Sequence, residues 1–168
     1  MTDQFREVMA RLPTGVTIVT ARDADGQPHG MTVSAFCSVS LDPPLLLVCL
    51  SRTARCFPVL ARAGRFAVSI LRDRHEPLAR RFASGDLDKF GAGGFVATPG
   101  NALIVKDALG AVECRAEARH DAGDHVILVG TVLDCFVTDP GAPAVYFDRR
   151  FVGIAARPLS LEGGVRAT

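Results

Sequence analysis

Hydroxyl and cationic side chains follow directly after a short apolar run near residue 50. The apolar run is LLLVCL, residues 45–50, and the polar segment after it is SRTAR, residues 51–55. A polar loop that opens a helix offers free backbone N–H groups and a favourable dipole to an anion such as phosphate. The residue types alone are therefore compatible with an anion site at residues 51–55. The alternative is an ordinary helix cap with its arginines in solvent.

A second polar run, TVSAF at residues 32–36, lies upstream of that apolar run. The turn Leu41-Asp42-Pro43-Pro44 separates the two, because proline cannot donate a ladder hydrogen bond. Residues 45–50 are apolar on both faces, which suits a strand buried on both sides. Buried hydroxyls need hydrogen-bond partners, so an inward-facing Thr32 or Ser34 would need a polar group against it. The alternative is a surface hairpin whose hydroxyls face water.

The tripeptide Gly123-Asp124-His125 places a histidine directly after a tight turn, at the start of the long strand HVILVGTVLDCFV. We expect the ring of His125 to stand at the rim of the fold, where it could contact a ligand. The alternative is an ordinary β-turn in which Asp124 hydrogen-bonds the backbone. Gly130, inside the same strand, indicates a bulge or a close approach by a ligand or backbone.

Local periodicity predicts the other elements. Residues 2–12 form a helix with Thr2 as a plausible N-cap, and its apolar stripe is expected to contact the core. That stripe is Phe5, Val8, Met9 and Leu12. Further helices are predicted at residues 56–63 and 75–83, and further strands at 16–21, 27–33, 65–71, 111–120, 144–147 and 151–154.

The glycine-rich stretch at residues 84–100 is expected to be a loop, and it contains Phe90 and Phe95. It is either a lid or subunit contact, or a plain connection held by two apolar side chains. Roughly seven short strands with two or three inserted helices predict a mainly β fold, an antiparallel barrel or sandwich. One domain is expected over residues 1–156, followed by a tail at residues 157–168.

Composition narrows the function classes. The 168 residues are 48% hydrophobic and 22% charged, which argues against disorder, and a net charge of +1 gives no reason to expect nucleic acid or a membrane surface as partner. No apolar run approaches the roughly 20 residues that span a bilayer. GxGxxG and GxSxG are absent, which disfavours a Rossmann dinucleotide site and the commonest serine hydrolases.

The cysteines and histidines indicate reduced thiols rather than disulfides or metal. Five cysteines is an odd number, no CxxC pair occurs, the histidines lack ligand spacing, and the chain start shows no signal-peptide pattern. We therefore expect a cytoplasmic protein without a metal site, whose thiols pack as small hydrophobic groups. These thiols are Cys37, Cys49, Cys56, Cys114 and Cys135.

Six segments in order give the chain a family resemblance. A first segment ends in GVTIVT, and it is followed by GMTVSAFCSVSLDPPLLLVCL, SRTA, RFAVSIL, LARRFAS and GDHVILVGTV. The match as a whole runs from about Phe5 to Phe151. Together they resemble the short-chain flavin reductase family, the reductase components of two-component flavin monooxygenases. The resemblance implies a split β-barrel of the FMN-binding type that forms a homodimer. It also implies an NAD(P)H:flavin oxidoreductase that reduces FMN or FAD with NADH or NADPH and supplies reduced flavin to a flavin-dependent monooxygenase.

The resemblance also assigns site residues. It implies that the flavin ring edge, which carries acceptors and one N–H, lies along Thr32, Val33, Ser34, Ala35, Phe36 and Ser38. It implies that the ribityl chain and phosphate lie near Cys49, Leu50, Ser51, Arg52 and Thr53, with Phe82 and Ala83 bordering the flavin. It implies that Gly123, Asp124 and His125 form the nicotinamide site, with His125 as the catalytic candidate.

Two other functions stay open beside this one. One is a non-catalytic or electron-carrying protein that holds FMN tightly on the same barrel. The other is a homodimeric barrel whose groove serves assembly alone. Gly123-Asp124-His125 favours the reductase, because a carrier has no need of a nicotinamide site.

Overall fold

The computed structural model describes residues 1–86 and 88–154, and the predicted tail at residues 157–168 lies outside them. Within these residues the helices are α1 (Thr2–Ala10), α2 (Phe57–Leu60) and α3 (Glu76–Ala83), with a 3-10 turn at Asp73–His75. The strands are β1 (Thr14–Gly15), β2 (Thr17–Arg22), β3 (Pro28–Val33), β4 (Phe36–Leu41), β5 (Pro44–Ser51), β6 (Arg65–Ile70), β7 (Phe95–Ala97), β8 (Leu103–Val105), β9 (Gly110–Ala122), β10 (His125–Val137), β11 (Val145–Phe147) and β12 (Arg150–Val152).

Seven of these strands form one antiparallel sheet in the order β3-β2-β6-β9-β10-β5-β4. The sheet curls so that β3 approaches β5, although the two do not pair. The edges β3 and β4 therefore remain separate, and the architecture is a split β-barrel, as predicted. Two smaller sheets, β1-β11-β12 and β7-β8, supplement it.

The barrel interior is filled by apolar side chains of the central strands. Leu50, Phe66, Val68 and Leu128 are fully buried there. A second buried cluster joins α3 to β2 and β8 through Ile18, Ala79, Phe82 and Val105. Because protein interiors are close-packed, α3 is held rigidly against the outside of the barrel.

Gly130 allows β10 to pass close to the core, as its position in the sequence predicted. The ladder between β9 and β10 shifts register between Val129 and Gly130. A Cβ added at Gly130 would lie 2.5 Å from Cζ of Phe66 and 3.0 Å from Cβ of Cys114. The glycine therefore makes room for the buried Phe66 ring.

The first two helices are shorter than the sequence predicted. α1 begins at Thr2 itself, with Met1 in the N-cap position, and it ends at Ala10 rather than at residue 12. α2 has four residues rather than the eight of residues 56–63, and Pro58 lies in its first turn. A helix of one turn has almost no dipole, so the predicted phosphate site at a helix start is not formed in that way.

Two predictions about strands were also wrong in detail. Residues 84–100 are not all loop, because β7 forms there and pairs with β8. β5 is buried on one face only: Leu46, Val48 and Leu50 are buried, while Leu45 and Leu47 alternate with them half-buried. The outer face of the barrel at β5 is therefore incompletely covered.

The apolar stripe of α1 does not contact the core, contrary to the prediction. Phe5, Val8, Met9 and Leu12 are exposed by 64%, 67%, 45% and 52%. Backbone contacts hold the helix instead, and Asp148 donates its N–H to the carbonyl of Ala10 at 2.7 Å. Among residues 1–86 and 88–154, none of the helices is long and apolar enough to cross a membrane.

Candidate functional site

Three adjoining cavities lie along β3 and α3. The first, about 380 Å³, is the aromatic cavity, and its lining includes Tyr146 and Phe151. The second, about 470 Å³, is the hydroxyl cavity, and its lining includes Ser51 and Thr53. The third, about 200 Å³, is the side cavity. They form one groove, since the first two share Thr32, Ala83 and Ser84, and the last two share Arg55, Cys56, Ser84, Gly85 and Lys89.

The wall of the groove is built where α3 packs on β3. A Cβ at Gly30 would lie 2.8 Å from Cε1 of Phe82, so glycine permits the ring to lie directly on the strand. Thr32 Oγ1 donates to the carbonyl oxygen of Ala79 at 2.6 Å. Its hydroxyl hydrogen is therefore used within the protein, and the Oγ1 lone pairs remain available to an N–H of a ligand.

The run at residues 32–36 has some side chains that face the core and others that face the surface. Val33 is buried and Phe36 packs against the barrel core, whereas Ser34 and Ala35 are exposed. Ser34 lines the aromatic cavity. Both predicted alternatives thus hold in part, because one face of the run is packed and the other is open.

The end of β5 and the loop after it present two hydroxyls to the groove. Ser51 Oγ and Thr53 Oγ1 lie 2.9 Å apart; Ser51 is half-buried and Thr53 is exposed. Arg52 turns the other way: its guanidinium pairs with Asp121, and its N–H donates to the carbonyl of Asp124 at 3.0 Å. Arg52 therefore ties the loop to the β9–β10 hairpin instead of lining a cavity.

Arg55 and Lys89 are the cations that line both the hydroxyl cavity and the side cavity. Arg55 belongs to the candidate anion segment at residues 51–55, whereas the sequence prediction did not assign Lys89 to the site. Arg55 Nη1 donates to the carbonyl of Gly85 at 3.0 Å, and Lys89 Nζ donates to that of Phe82 at 2.8 Å. Burial lowers the pKa of Lys89, and the charge of Arg55 lowers it further. For Lys89 the available signal was its position next to Phe90 in the predicted loop.

The aromatic cavity is closed by residues that were also missed. Arg80 donates to Glu76 Oε1 through Nε at 2.9 Å and through Nη2 at 2.7 Å, and its Cζ lies 5.0 Å from the Phe151 ring centroid. The rings of Tyr146 and Phe151 meet edge to face at 5.4 Å. β11 and β12 bring these rings to α3, a contact between distant segments with no local sequence signal.

His125 stands at the rim of the barrel, as predicted. It opens β10 opposite Ser51 of β5, and its side chain is 41% exposed. Its Nδ1 lies 2.7 Å from Asp124 Oδ1, and this hydrogen bond lowers the pKa of Asp124. Because an ionised carboxylate only accepts, Nδ1 carries the proton and Nε2 is left to interact with a ligand.

The structure brings together part of the predicted site set. The groove is lined by Thr32, Ser34, Ser51, Thr53, Phe82 and Ala83. Three members lie beside it in the hairpin tied to the Ser51–Thr53 loop: Gly123, Asp124 and His125. The remaining members do not line the three cavities: Val33, Ala35, Phe36, Ser38, Cys49, Leu50 and Arg52.

Cys49 behaves as a packing residue. Its N–H donates to the carbonyl of Ala35 at 3.0 Å, which joins β5 to the chain before β4. Burial raises the pKa of its thiol, so the thiol stays protonated near neutral pH.

Comparison with known proteins places this groove in a family. The sequence model of the flavin reductase-like domain matches residues 9–155. The chain is 52% identical over 152 residues to an actinorhodin polyketide dimerase of Streptomyces coelicolor, covering 90% of this chain and 86% of the relative. It is 39% identical over 151 residues to the reductase component of a 4-hydroxyphenylacetate 3-monooxygenase of Thermus thermophilus, covering 90% and 95%.

A solved structure agrees with this relationship. The NADH:FAD oxidoreductase of Streptomyces globisporus superposes with a TM-score of 0.87 at 33% identity, covering 94% of this chain and 95% of the other. All residues that line the three cavities lie within residues 9–155, which the family model matches.

Proposed function

The chain belongs to the flavin reductase-like domain family, and from this membership we infer that it is an NAD(P)H-dependent flavin reductase. It transfers hydride from the nicotinamide of NADH or NADPH to FMN or FAD. The reduced flavin is then supplied to a partner flavin-dependent monooxygenase.

One observation carries the assignment of this activity to the groove. The hydroxyl cavity combines the hydroxyls of Ser51 and Thr53 with the cations Arg55 and Lys89, and it adjoins the aromatic cavity. Hydroxyls and cations suit a phosphate, and an apolar cavity with a few polar groups suits a planar ring. The residues present therefore fit a flavin that has its phosphate in the hydroxyl cavity and its ring toward the aromatic cavity.

The residues of this chain would bind and orient both reactants. Ser51 and Thr53 would donate to the flavin phosphate, while Lys89 would offset its charge. Thr32 Oγ1, whose hydrogen is used on Ala79, would accept from the ring N–H. When bound, the flavin supplies the ring that accepts the hydride.

His125 is the group that would position the nicotinamide. Asp124 holds the ring with Nδ1 protonated, so a neutral His125 presents the Nε2 lone pair to the carboxamide N–H. A protonated His125 would donate from Nε2 to the pyrophosphate instead. In either form the residue orients the donor and transfers no hydride.

Steady-state turnover with the four cofactor pairs tests this function. We expect NAD(P)H oxidation to require added flavin. When oxygen is excluded, reduced flavin should accumulate in large molar excess over the protein. If one equivalent of FMN stays bound and NAD(P)H is not consumed, the protein is the electron-carrying or non-catalytic barrel instead.

We propose a homodimer with the flavin site near the interface, and the exposed stripe of α1 supports the assembly itself. Phe5, Val8 and Met9 are large apolar groups in solvent on one helix, and Leu41 at the end of the edge strand β4 is 93% exposed. Phe90 and Phe95 do not support it, because they pack on Phe82 of their own chain at centroid distances of 5.0 and 5.3 Å. Light scattering should give twice the chain mass, and Val8→Asp should shift it toward monomer.

We place the protein in the cytoplasm. The support is that Cys37, Cys49, Cys56, Cys114 and Cys135 are all free thiols. Disulfides are rare in that compartment. Fractionation of cells that produce the protein tests the location.

A further inference from the structure

The side cavity extends the groove beyond the part that an FMN molecule would need. Arg55 and Lys89 line both cavities, so they lie where the side cavity adjoins the hydroxyl cavity of Ser51 and Thr53. A single terminal phosphate at the hydroxyls would leave the side cavity unused. A ligand with two linked phosphates could reach past the cations into it.

Arg55 and Lys89 have donors to spare for a second phosphate. Each contributes one hydrogen bond to a main-chain carbonyl, Arg55 to Gly85 and Lys89 to Phe82. An ammonium has three donors and a guanidinium five, so most remain. Among the residues that the structure describes, neither cation forms an ion pair with a carboxylate.

Asp86 gives the side cavity a different polarity from the hydroxyl cavity. It lines the side cavity alone, and its Oδ1 accepts from the N–H of Asp88 at 3.1 Å. Oδ2 accepts no hydrogen bond from the described part of the chain. A carboxylate repels a phosphate but accepts hydrogen bonds well from ribose hydroxyls. The cations shared by the two cavities therefore suit phosphates, and the carboxylate found in the side cavity alone suits a ribose.

A planar group completes the side cavity. His29 lines it, and its Nε2 lies 2.8 Å from Asp23 Oδ2, which fixes the ring in place. Pro28 and Phe90 also line the cavity. Purine bases stack on flat side chains of this kind.

Resting on the proposed flavin reductase function, we propose that the side cavity binds the adenylate half of FAD, so that FAD is the preferred flavin. The pyrophosphate lies between Arg55 and Lys89, the ribose hydroxyls donate to Asp86, and the adenine lies against His29. The ADP half of NADH carries the same phosphate, ribose and adenine groups as that half of FAD. The experiment distinguishes binding of FAD from binding of NADH in the side cavity.

Equilibrium titration of each flavin without nicotinamide is the first measurement. We expect the wild-type protein to bind FAD about tenfold more tightly than FMN, the scale of one charge-assisted hydrogen bond. Equal affinity, or tighter FMN binding, would overturn the proposal. This titration measures binding without turnover, so it tests the FAD preference separately from the proposed reductase activity.

Asp86→Asn is the informative variant, and Asp88→Asn is its matched control. Both remove one negative charge from the same loop, and both keep a side-chain oxygen for the backbone N–H that it accepts. Asp86→Asn should weaken FAD about fivefold and leave FMN within about twofold, which also shows that the variant is folded. The control should change neither flavin by more than about twofold.

NADH kinetics with FMN as the flavin form the last measurement. The KM for NADH should be the same in Asp86→Asn and in the wild-type protein. A raised KM for NADH together with unchanged FAD affinity would assign the side cavity to the nicotinamide cofactor and overturn the proposal.

Discussion

Replacing Lys89 by Met tests whether the hydroxyl cavity holds the flavin phosphate. Met keeps most of the apolar stem and removes the ammonium, whose Nζ lies 2.8 Å from the carbonyl oxygen of Phe82 and 5.8 Å from its ring centroid. The carbonyl belongs to the last turn of α3, where a cation stabilises a helix by about 0.3–1 kcal/mol. We therefore expect only a small loss of stability.

The loss of flavin affinity should be larger. Lys89 retains two donors for a phosphate, and one charge-assisted hydrogen bond contributes about 1.5–3 kcal/mol. At about 1.4 kcal/mol per decade, Kd for either flavin should rise roughly 10- to 100-fold. Because burial lowers the pKa of Lys89, the wild-type affinity should also begin to fall at a lower pH than a surface lysine would give. As pH rises, Lys89 loses its proton, and the neutral amine no longer attracts the phosphate. Flavin affinity therefore falls.

Flavin fluorescence titration across neutral and alkaline pH measures both effects. Lys106→Met is the control, since Lys106 is the other lysine of the chain and is exposed outside the groove. The alkaline fall in affinity should be absent from Lys89→Met. Wild-type Kd values in Lys89→Met would refute the phosphate assignment at this cavity.

Three further predictions follow from named contacts. The double variant Ser51→Ala, Thr53→Ala should weaken flavin by roughly 1.5–3 kcal/mol for each lost bond to phosphate, measured by titration; unchanged affinity removes these hydroxyls from the site. His125→Ala should lower kcat/KM for NAD(P)H about 10- to 100-fold and move flavin binding by less than about 0.5 kcal/mol; intact kinetics with a lower Tm would make it a turn residue. Gly130→Ala should cost about 1–3 kcal/mol in urea unfolding, because its Cβ would overlap the buried Phe66 ring; an unchanged midpoint would contradict that packing.

The site is assembled by hydrogen bonds between segments that lie far apart in the chain. Arg52 joins the loop after β5 to the β9–β10 hairpin through Asp124. Thr32 joins β3 to α3 through Ala79. The residues proposed to bind flavin and those proposed to bind nicotinamide are therefore joined in one hydrogen-bonded frame, and hydride transfer between two stacked rings would require such a frame.

Local sequence determined the elements whose signals are local. The turn before His125, the long strand after it and the glycine within that strand were all predicted correctly, because turn chemistry and strand periodicity depend on neighbouring residues. The ordered motifs also identified the family, and with it the split barrel. Several motifs in a fixed order and spacing identify a family more specifically than any single motif does.

Tertiary structure alone decided which side chains meet in the groove. Lys89 lies within residues 84–100, which were predicted as loop, and it lines the hydroxyl cavity because the chain after α3 folds back over Phe82. Arg52 looked like a phosphate ligand, yet its partner Asp121 lies 69 residues away and turns it aside. The α1 stripe was predicted to be core, since periodicity reports that a helix has an apolar face but not what covers it. These outcomes depend on contacts between distant segments, and hydrophobic patterning specifies faces rather than partners.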